Sequence, residues 1–134
     1  MPPNASAFQP VETSFREDTT ASDRDRLREL GQFLTPPTIA DFMASLFEAC
    51  WDEVNLLDAG AGTGTLSAAL IKRLCSQENK PKSITLTAYE IDESLMDRLY
   101  LSVSYCREAC SRVSILFSAN IFNEDFIRAV VPDI

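Results

Sequence analysis

Residues 55 to 64 read NLLDAGAGTG: a short apolar run, an acid, then three glycines on alternate positions. The chain has four glycines in 134 residues, and three of them are Gly60, Gly62 and Gly64. Glycine admits positive φ and lets another group approach the backbone without meeting a Cβ. An apolar run feeding such a turn, with a helical pattern after it, is a buried strand opening into a helix. The strand covers about residues 55–58. The helix runs from Thr65 to about Ser76, with Leu66, Ala69, Leu70 and Leu74 as its apolar stripe.

The downstream pattern repeats the alternation. SITLTAYE alternates and is rich in β-branched residues, which predicts a second strand ending at Glu90. Asp92 is placed to cap a long helix reaching about Ser111, VSILFS predicts a third strand, and NEDFIRAV a short last helix or turn. Strand, helix, strand, helix, strand predicts right-handed βαβ crossovers on a parallel sheet, an α/β architecture of the Rossmann-like kind.

Upstream, residues 1–21 are rich in Pro, Ser and Thr and lack periodicity, so they read as a flexible tail or docking arm. A helical segment with a proline elbow follows over 22–53, and the α/β part occupies 54–134. Ser22 or Asp23 can cap a helix through Leu30 that Gly31 ends. The two prolines of LTPP make a rigid elbow. Thr38 can then cap a helix from Ile39 to about Cys50, whose Ile39, Phe42, Met43, Leu46 and Phe47 read as a core-facing stripe. Trp51 and Tyr89 read as packing residues, Tyr89 next to the site.

Composition narrows the function classes. Net charge is −8, which opposes a phosphate-binding clamp in the chain itself. The arginines of DRDRLRE alternate with acids, as on a solvated helix face. Four cysteines, no CxxC pair and no histidine give no recognisable zinc ligand set, so no metal is expected. Reduced, partly buried thiols are the plain reading. No apolar run approaches the roughly 20 residues of a membrane span, and no secretory leader is seen, so the expected compartment is the cytoplasm.

The turn itself selects a ligand class. A dinucleotide fingerprint places glycines at positions 1, 3 and 6, whereas here they stand at 1, 3 and 5, with Thr65 at the sixth. No lysine follows to make a phosphate loop. Asp58, immediately before the turn, would repel a phosphate and suits a ligand bearing a cation. Glu90, at the tip of the second strand, is where a carboxylate grips ribose hydroxyls. An adenosine-type ligand with positive charge and no phosphate is implied.

LLDAGAGTGTLSAAL followed by AYEIDESL resembles motifs I and II of class I AdoMet-dependent methyltransferases, and LGQFLTPPTIADFM is similar to the Thr-Pro-Pro segment of gamma-type N6-adenine DNA methyltransferases of restriction-modification systems. The resemblance covers about residues 30 to 127. It implies S-adenosyl-L-methionine as cofactor. Thr35 would contact the methionine carboxylate, with Pro36 and Pro37 holding the elbow. Asp58 would face the ammonium group, and Ala59, Gly60, Ala61, Gly62 and Gly64 would line the turn. Glu90 would hold the ribose and Ile91 would pack on the adenine. Asp125 and Phe126 would accept from the adenine amino group and flank the ring; Asn120 competes with Asp125 for that role.

The family's catalytic Asn-Pro-Pro-Tyr is not found in these 134 residues, so no catalytic residue is assigned. The resemblance therefore implies the first half of a class I methyltransferase fold, a fragment inactive by itself, with DNA bound through missing downstream domains. An open strand edge invites self-association, or pairing with a chain that completes the sheet. Two alternatives stay open: a class I methyltransferase acting on RNA or on a protein glutamine, and a non-catalytic or split-subunit module that binds a partner.

Overall fold

The structure, a computed structural model, describes residues 34–48 and 51–131. The expected tail, the helix at 22–30, Gly31 and Cys50 lie outside these residues. The described elements are α1 (Pro37–Ser45), β1 (Glu53–Asp58), α2 (Thr65–Ser76), β2 (Ser83–Tyr89), a 3-10 turn (Glu93–Leu95), α3 (Met96–Arg112), β3 (Leu116–Phe122) and α4 (Phe126–Val130). The three strands form one parallel sheet in the order β1-β2-β3. This is the α/β, Rossmann-like sheet with βαβ crossovers that the sequence predicts.

The strands run in register without a bulge: Val54, Ile84 and Phe117 stand abreast, as do Leu56, Leu86 and Ala119, and then Asp58, Ala88 and Ile121. Successive residues of a strand point to opposite faces. One face therefore carries the apolar set. Val54, Ile84, Leu86 and Ala88 bury it in a single core with Ile71, Leu74 and Cys75 of α2 and Leu99, Val103, Cys106 and Cys110 of α3. Both crossover helices thus cover the same face. The other face presents Asn55 and Leu57, then Thr85 and Thr87, then Ser118 and Asn120, and among the described residues no helix covers it. Parallel sheets are ordinarily covered on both faces.

Four sequence expectations change. The helix after the elbow begins at Pro37, with Pro36 as its N-cap residue and no side-chain cap, so Thr38 lies inside its first turn. Proline is favoured there because its missing N–H has no intrahelical partner anyway. The stripe read as core is instead exposed: Phe42 is 63% and Leu46 67% accessible, with Ile39, Met43 and Phe47 also in the open. The helix turns Ala40 and Ala44 inward onto Ala69 of α2. Leu66 and Leu70 of α2 pack around that contact, while the bulky side chains of α1 are left outside. Trp51 is likewise exposed rather than packed.

The third strand also starts later than VSILFS implies. Ser114 adopts φ 61°, and the N–H of Ile115 donates to the carbonyl of Cys110 at 2.9 Å. A left-handed residue just past a helix, with such a back-bond, is the ordinary way a helix end satisfies its last carbonyls. Val113, Ser114 and Ile115 therefore form the stop of α3, and the strand begins at Leu116.

Cys75, Cys106 and Cys110 are free thiols buried where α2 and α3 meet, with the sulfurs of Cys75 and Cys110 3.8 Å apart. Burial pushes the Cys106 thiol up from 9.0 to about 12. The contact with Cys75, and then burial, push Cys110 up as well. A raised thiol pKa adds stability in full below the unfolded value and loses it as pH climbs towards the folded one. Unfolding free energy is therefore expected to fall between about pH 9 and about pH 12. In native protein at pH 8, Cys106 is expected to stay inert to a thiol-titrating disulfide reagent and to react once urea unfolds the chain. Rapid native titration of Cys106 would contradict the burial described here.

Candidate functional site

β1 and β2 deliver their C-terminal ends side by side. Asp58 is the last residue of β1, paired across to Ala88, and Glu90 follows β2 directly. The chain after Asp58 makes the glycine turn and enters α2. Ligands in open α/β sheets bind beyond the carboxyl ends of the strands, where this turn lies.

The three glycines serve different purposes. Gly64 has φ 82° and is the N-cap residue of α2; a Cβ there would come within 3.0 Å of Ser102 Cβ and 3.1 Å of Leu99 Cδ1 on α3. Gly62 has φ 57°, and its Cβ would stand 2.9 Å from Leu34 Cδ2, so the start of the proline elbow rests on the turn. Gly60 is neither strained nor crowded: a Cβ added there meets nothing within 4 Å. Gly60→Ala is accordingly expected to change the unfolding free energy by less than about 0.5 kcal/mol. Urea denaturation checks this, and a larger loss would mean that Gly60 has a packing duty not visible in the fold.

The turn is fastened to β2 by two bonds. The N–H of Ala61 donates to the carbonyl of Tyr89 at 2.9 Å, and the N–H of Gly62 donates to Oε1 of Glu90 at 2.9 Å. The other oxygen of Glu90, Oε2, accepts from the N–H of Asp92 at 2.8 Å. Glu90 is 3% exposed, so it is a buried carboxylate held by backbone donors from two loops. Asp92 in turn accepts from the N–H and hydroxyl of Ser94, which caps the 3-10 turn. Asp58 accepts from the hydroxyl of Ser67, in the first turn of α2. Ser102 of α3 donates to the carbonyl of Thr63, which ties the turn to the helix behind it.

The remaining predicted residues fall in different places. Ala59 and Gly60 are exposed on the turn, while Ala61 is buried within it. Thr35 is half-buried and Pro36 exposed, at the elbow whose Leu34 touches the turn. Ile91 is exposed beside Glu90. Phe126 meets Tyr89 edge-on at 5.2 Å, and Tyr89 stacks on Phe122 at 4.9 Å. Asp125 caps α4, its Oδ1 accepting from the N–H of Ile127 at 3.0 Å. Asn120 lies inside β3 opposite Thr87, on the uncovered sheet face and short of the strand end. Among the described residues no group of acids and cysteines is arranged to hold a metal, and no helix is long and apolar enough to cross a membrane.

Sequence reasoning missed Ser67 and Asn123. The signal for Ser67 was its place in the first turn of α2, where a hydroxyl can reach back to the end of the preceding strand. Asn123 donates from Nδ2 to the carbonyls of Glu90 at 2.8 Å and Ile91 at 3.3 Å. Only its position just past an apolar strand hinted at a role.

No family model matches this chain. It is 34% identical over 122 residues to Type II methyltransferase M.PstI of Providencia stuartii, covering 90% of this chain and 24% of that protein. To Type II methyltransferase M.BsuBI of Bacillus subtilis it is 44% identical over 101 residues, covering 75% of this chain and 19% of the relative. A match over 101 of 134 residues necessarily includes Asp58, the glycine turn and Glu90. The chain spans about a quarter of M.PstI and about a fifth of M.BsuBI. Over most of its length this chain is thus homologous to a part of two Type II methyltransferases.

Proposed function

We propose that this chain is the cofactor-binding portion of a DNA adenine-N6 methyltransferase, with S-adenosyl-L-methionine as the cofactor. The observation that carries the reading is the fastening of the glycine turn to Glu90, in a chain whose relatives bear the name Type II methyltransferase. The residues present suit this cofactor. Acids stand at the ends of two neighbouring strands, matching a nucleoside that carries an ammonium and a sulfonium. The turn leaves open space beside Gly60, and the first N–H groups of α2 have no intrahelical partner. When bound, the cofactor supplies a methyl group on a positively charged sulfur.

In this reading Asp58, oriented by Ser67, faces the methionine ammonium, and Thr35 with Pro36 closes over the carboxylate end. Ala59, Gly60, Ala61, Gly62 and Gly64 shape the bend beneath. Glu90 receives the ribose hydroxyls in exchange for the backbone donors of Gly62 and Asp92 that its buried carboxylate now takes. Ile91 lies against the adenine ring, and Phe126 flanks it. Asp125 has to leave Ile127 to reach the adenine amino group. DNA is the partner, engaged by parts of the protein outside this chain. The chain alone is expected not to transfer methyl groups.

Isothermal calorimetry with S-adenosylhomocysteine, the demethylated product, tests the reading. Saturable heat from the chain, lost in Asp58→Ala, is the expected result. No heat from the chain, and none from a longer protein that completes the sheet, would overturn it. Acceptor assays on a longer protein separate DNA from RNA and protein glutamine.

One further observation favours a split-subunit version of this function. Among the described residues β1 pairs only with β2, and one sheet face is uncovered. An unpaired strand edge beside exposed apolar side chains promotes association. Light scattering is expected to give a mass above that of one chain at high concentration. A monomer throughout would remove the split-subunit version and leave the cofactor reading standing.

A further inference from the structure

We infer that Asn123 is a positioning residue for the candidate cofactor site: from the end of β3 it fixes the backbone at Glu90, and through Glu90 the glycine turn after β1. The inference deepens the proposed function and rests on it only where ligand affinity is concerned.

The geometry forms a relay across three strand ends. The N–H of Glu90 donates to the carbonyl of Phe122 at 3.0 Å, while Glu90's own carbonyl accepts from Asn123 Nδ2 at 2.8 Å. The backbone of Glu90 is thus bracketed by Phe122, the last residue of β3, and by Asn123 just after it. The same Nδ2 also donates to the carbonyl of Ile91 at 3.3 Å. Both partners are carbonyls, so only the NH2 end of the amide can face them. With its main chain held this way, Glu90 directs its carboxylate to Gly62 on one side and Asp92 on the other. Among the described residues the side chain of Asn123 hydrogen-bonds to the carbonyls of Glu90 and Ile91 and to no residue of the turn, so it acts through Glu90.

An exposed side chain that donates twice to one short loop has little to contribute to the core. Its donors fall instead on the two residues, Glu90 and Ile91, that the proposed function assigns to ribose and adenine. The short polar side chain of asparagine suits a strand tip, where it can reach backbone carbonyls of a neighbouring loop.

Amide hydrogen exchange on the whole chain, without ligand, tests the relay. In Asn123→Ala the N–H groups of Gly62 and Asp92 are expected to exchange at least about tenfold faster, while those of Ile84 and Leu86 in β2 keep their protection. Asn123→Asp, which keeps the shape but loses the NH2 donors, is expected to behave like Asn123→Ala. Unchanged exchange at Gly62 and Asp92, acceleration spread evenly over the chain, or an Asn123→Asp protein identical to the parent would each overturn the inference. Calorimetry with S-adenosylhomocysteine supplies the second readout, with affinity expected to fall about tenfold in Asn123→Ala. Equal affinity in variant and parent also overturns it. A parent that gives no heat at all, either as this chain or within a longer protein that completes the sheet, with the exchange effect intact, sinks the proposed cofactor while leaving the relay in place.

Discussion

Glu90→Ala is expected to lower the unfolding free energy by about 2–4 kcal/mol and to abolish binding of S-adenosylhomocysteine. The stability loss follows from what is left behind. Two backbone donors, on Gly62 and Asp92, point at a buried carboxylate, and truncation strands both. A hydrogen bond to a charged group contributes roughly 1.5–3 kcal/mol, and a buried donor without an acceptor carries its full desolvation penalty. Water entering the vacated space recovers part of that, which sets the range below the simple sum. Glu90→Gln retains one carbonyl acceptor and is expected to lose about half as much. Urea denaturation of the three proteins gives the ordering parent, Gln, Ala; an alanine variant as stable as the parent would mean that the carboxylate does not fasten the turn.

Gly64→Ala is the second large effect, with an expected loss of about 2–3 kcal/mol. At φ 82° an alanine pays roughly 1–2 kcal/mol for its Cβ against the following carbonyl. The Cβ also presses on Ser102 Cβ at 3.0 Å and Leu99 Cδ1 at 3.1 Å, both on fully packed positions of α3. Relief requires α3 to shift, and Ser102 would then draw away from the carbonyl of Thr63 that it supports. The contrast with Gly60→Ala, expected to be nearly silent, makes the experiment specific. If both substitutions cost the same, the turn is governed by chain flexibility rather than by these contacts.

The sequence carried the sheet and its connections because those rest on local patterns. Strict alternation in SITLTAY placed β2 within a residue of its observed end, and the glycine cluster placed the start of α2 at Thr65. What it did not carry were choices decided by neighbours. Phe42 and Leu46 sit at helical spacing, as core residues do, yet Ala40 and Ala44 take the inner face because α2 offers Ala69 opposite them. Periodicity reports that a stripe exists and is silent on which stripe the partner admits. VSI has strand composition, but the end of a 17-residue helix claims it for its own termination. In the site, the acids Asp58 and Glu90 were legible from their places before and after strand ends. That Glu90 is buried against Gly62, and that Asn123 stands behind it, depends on the folding of three loops together and leaves no mark on spacing alone.

The flush, bulge-free alignment of the three strands has a consequence for length changes. Deleting one residue within β2 would exchange the roles of its two side-chain sets, driving Ser83, Thr85 and Thr87 into the interior and expelling Ile84, Leu86 and Ala88. The same slip would rotate the carboxylate after Tyr89 away from its backbone donors. A substitution in this sheet changes one side chain, whereas a single-codon deletion in its middle strand would dismantle the interior and the rim of the candidate site in one stroke. Natural length variation in relatives should therefore collect in the connection between α2 and β2, and not in the strands.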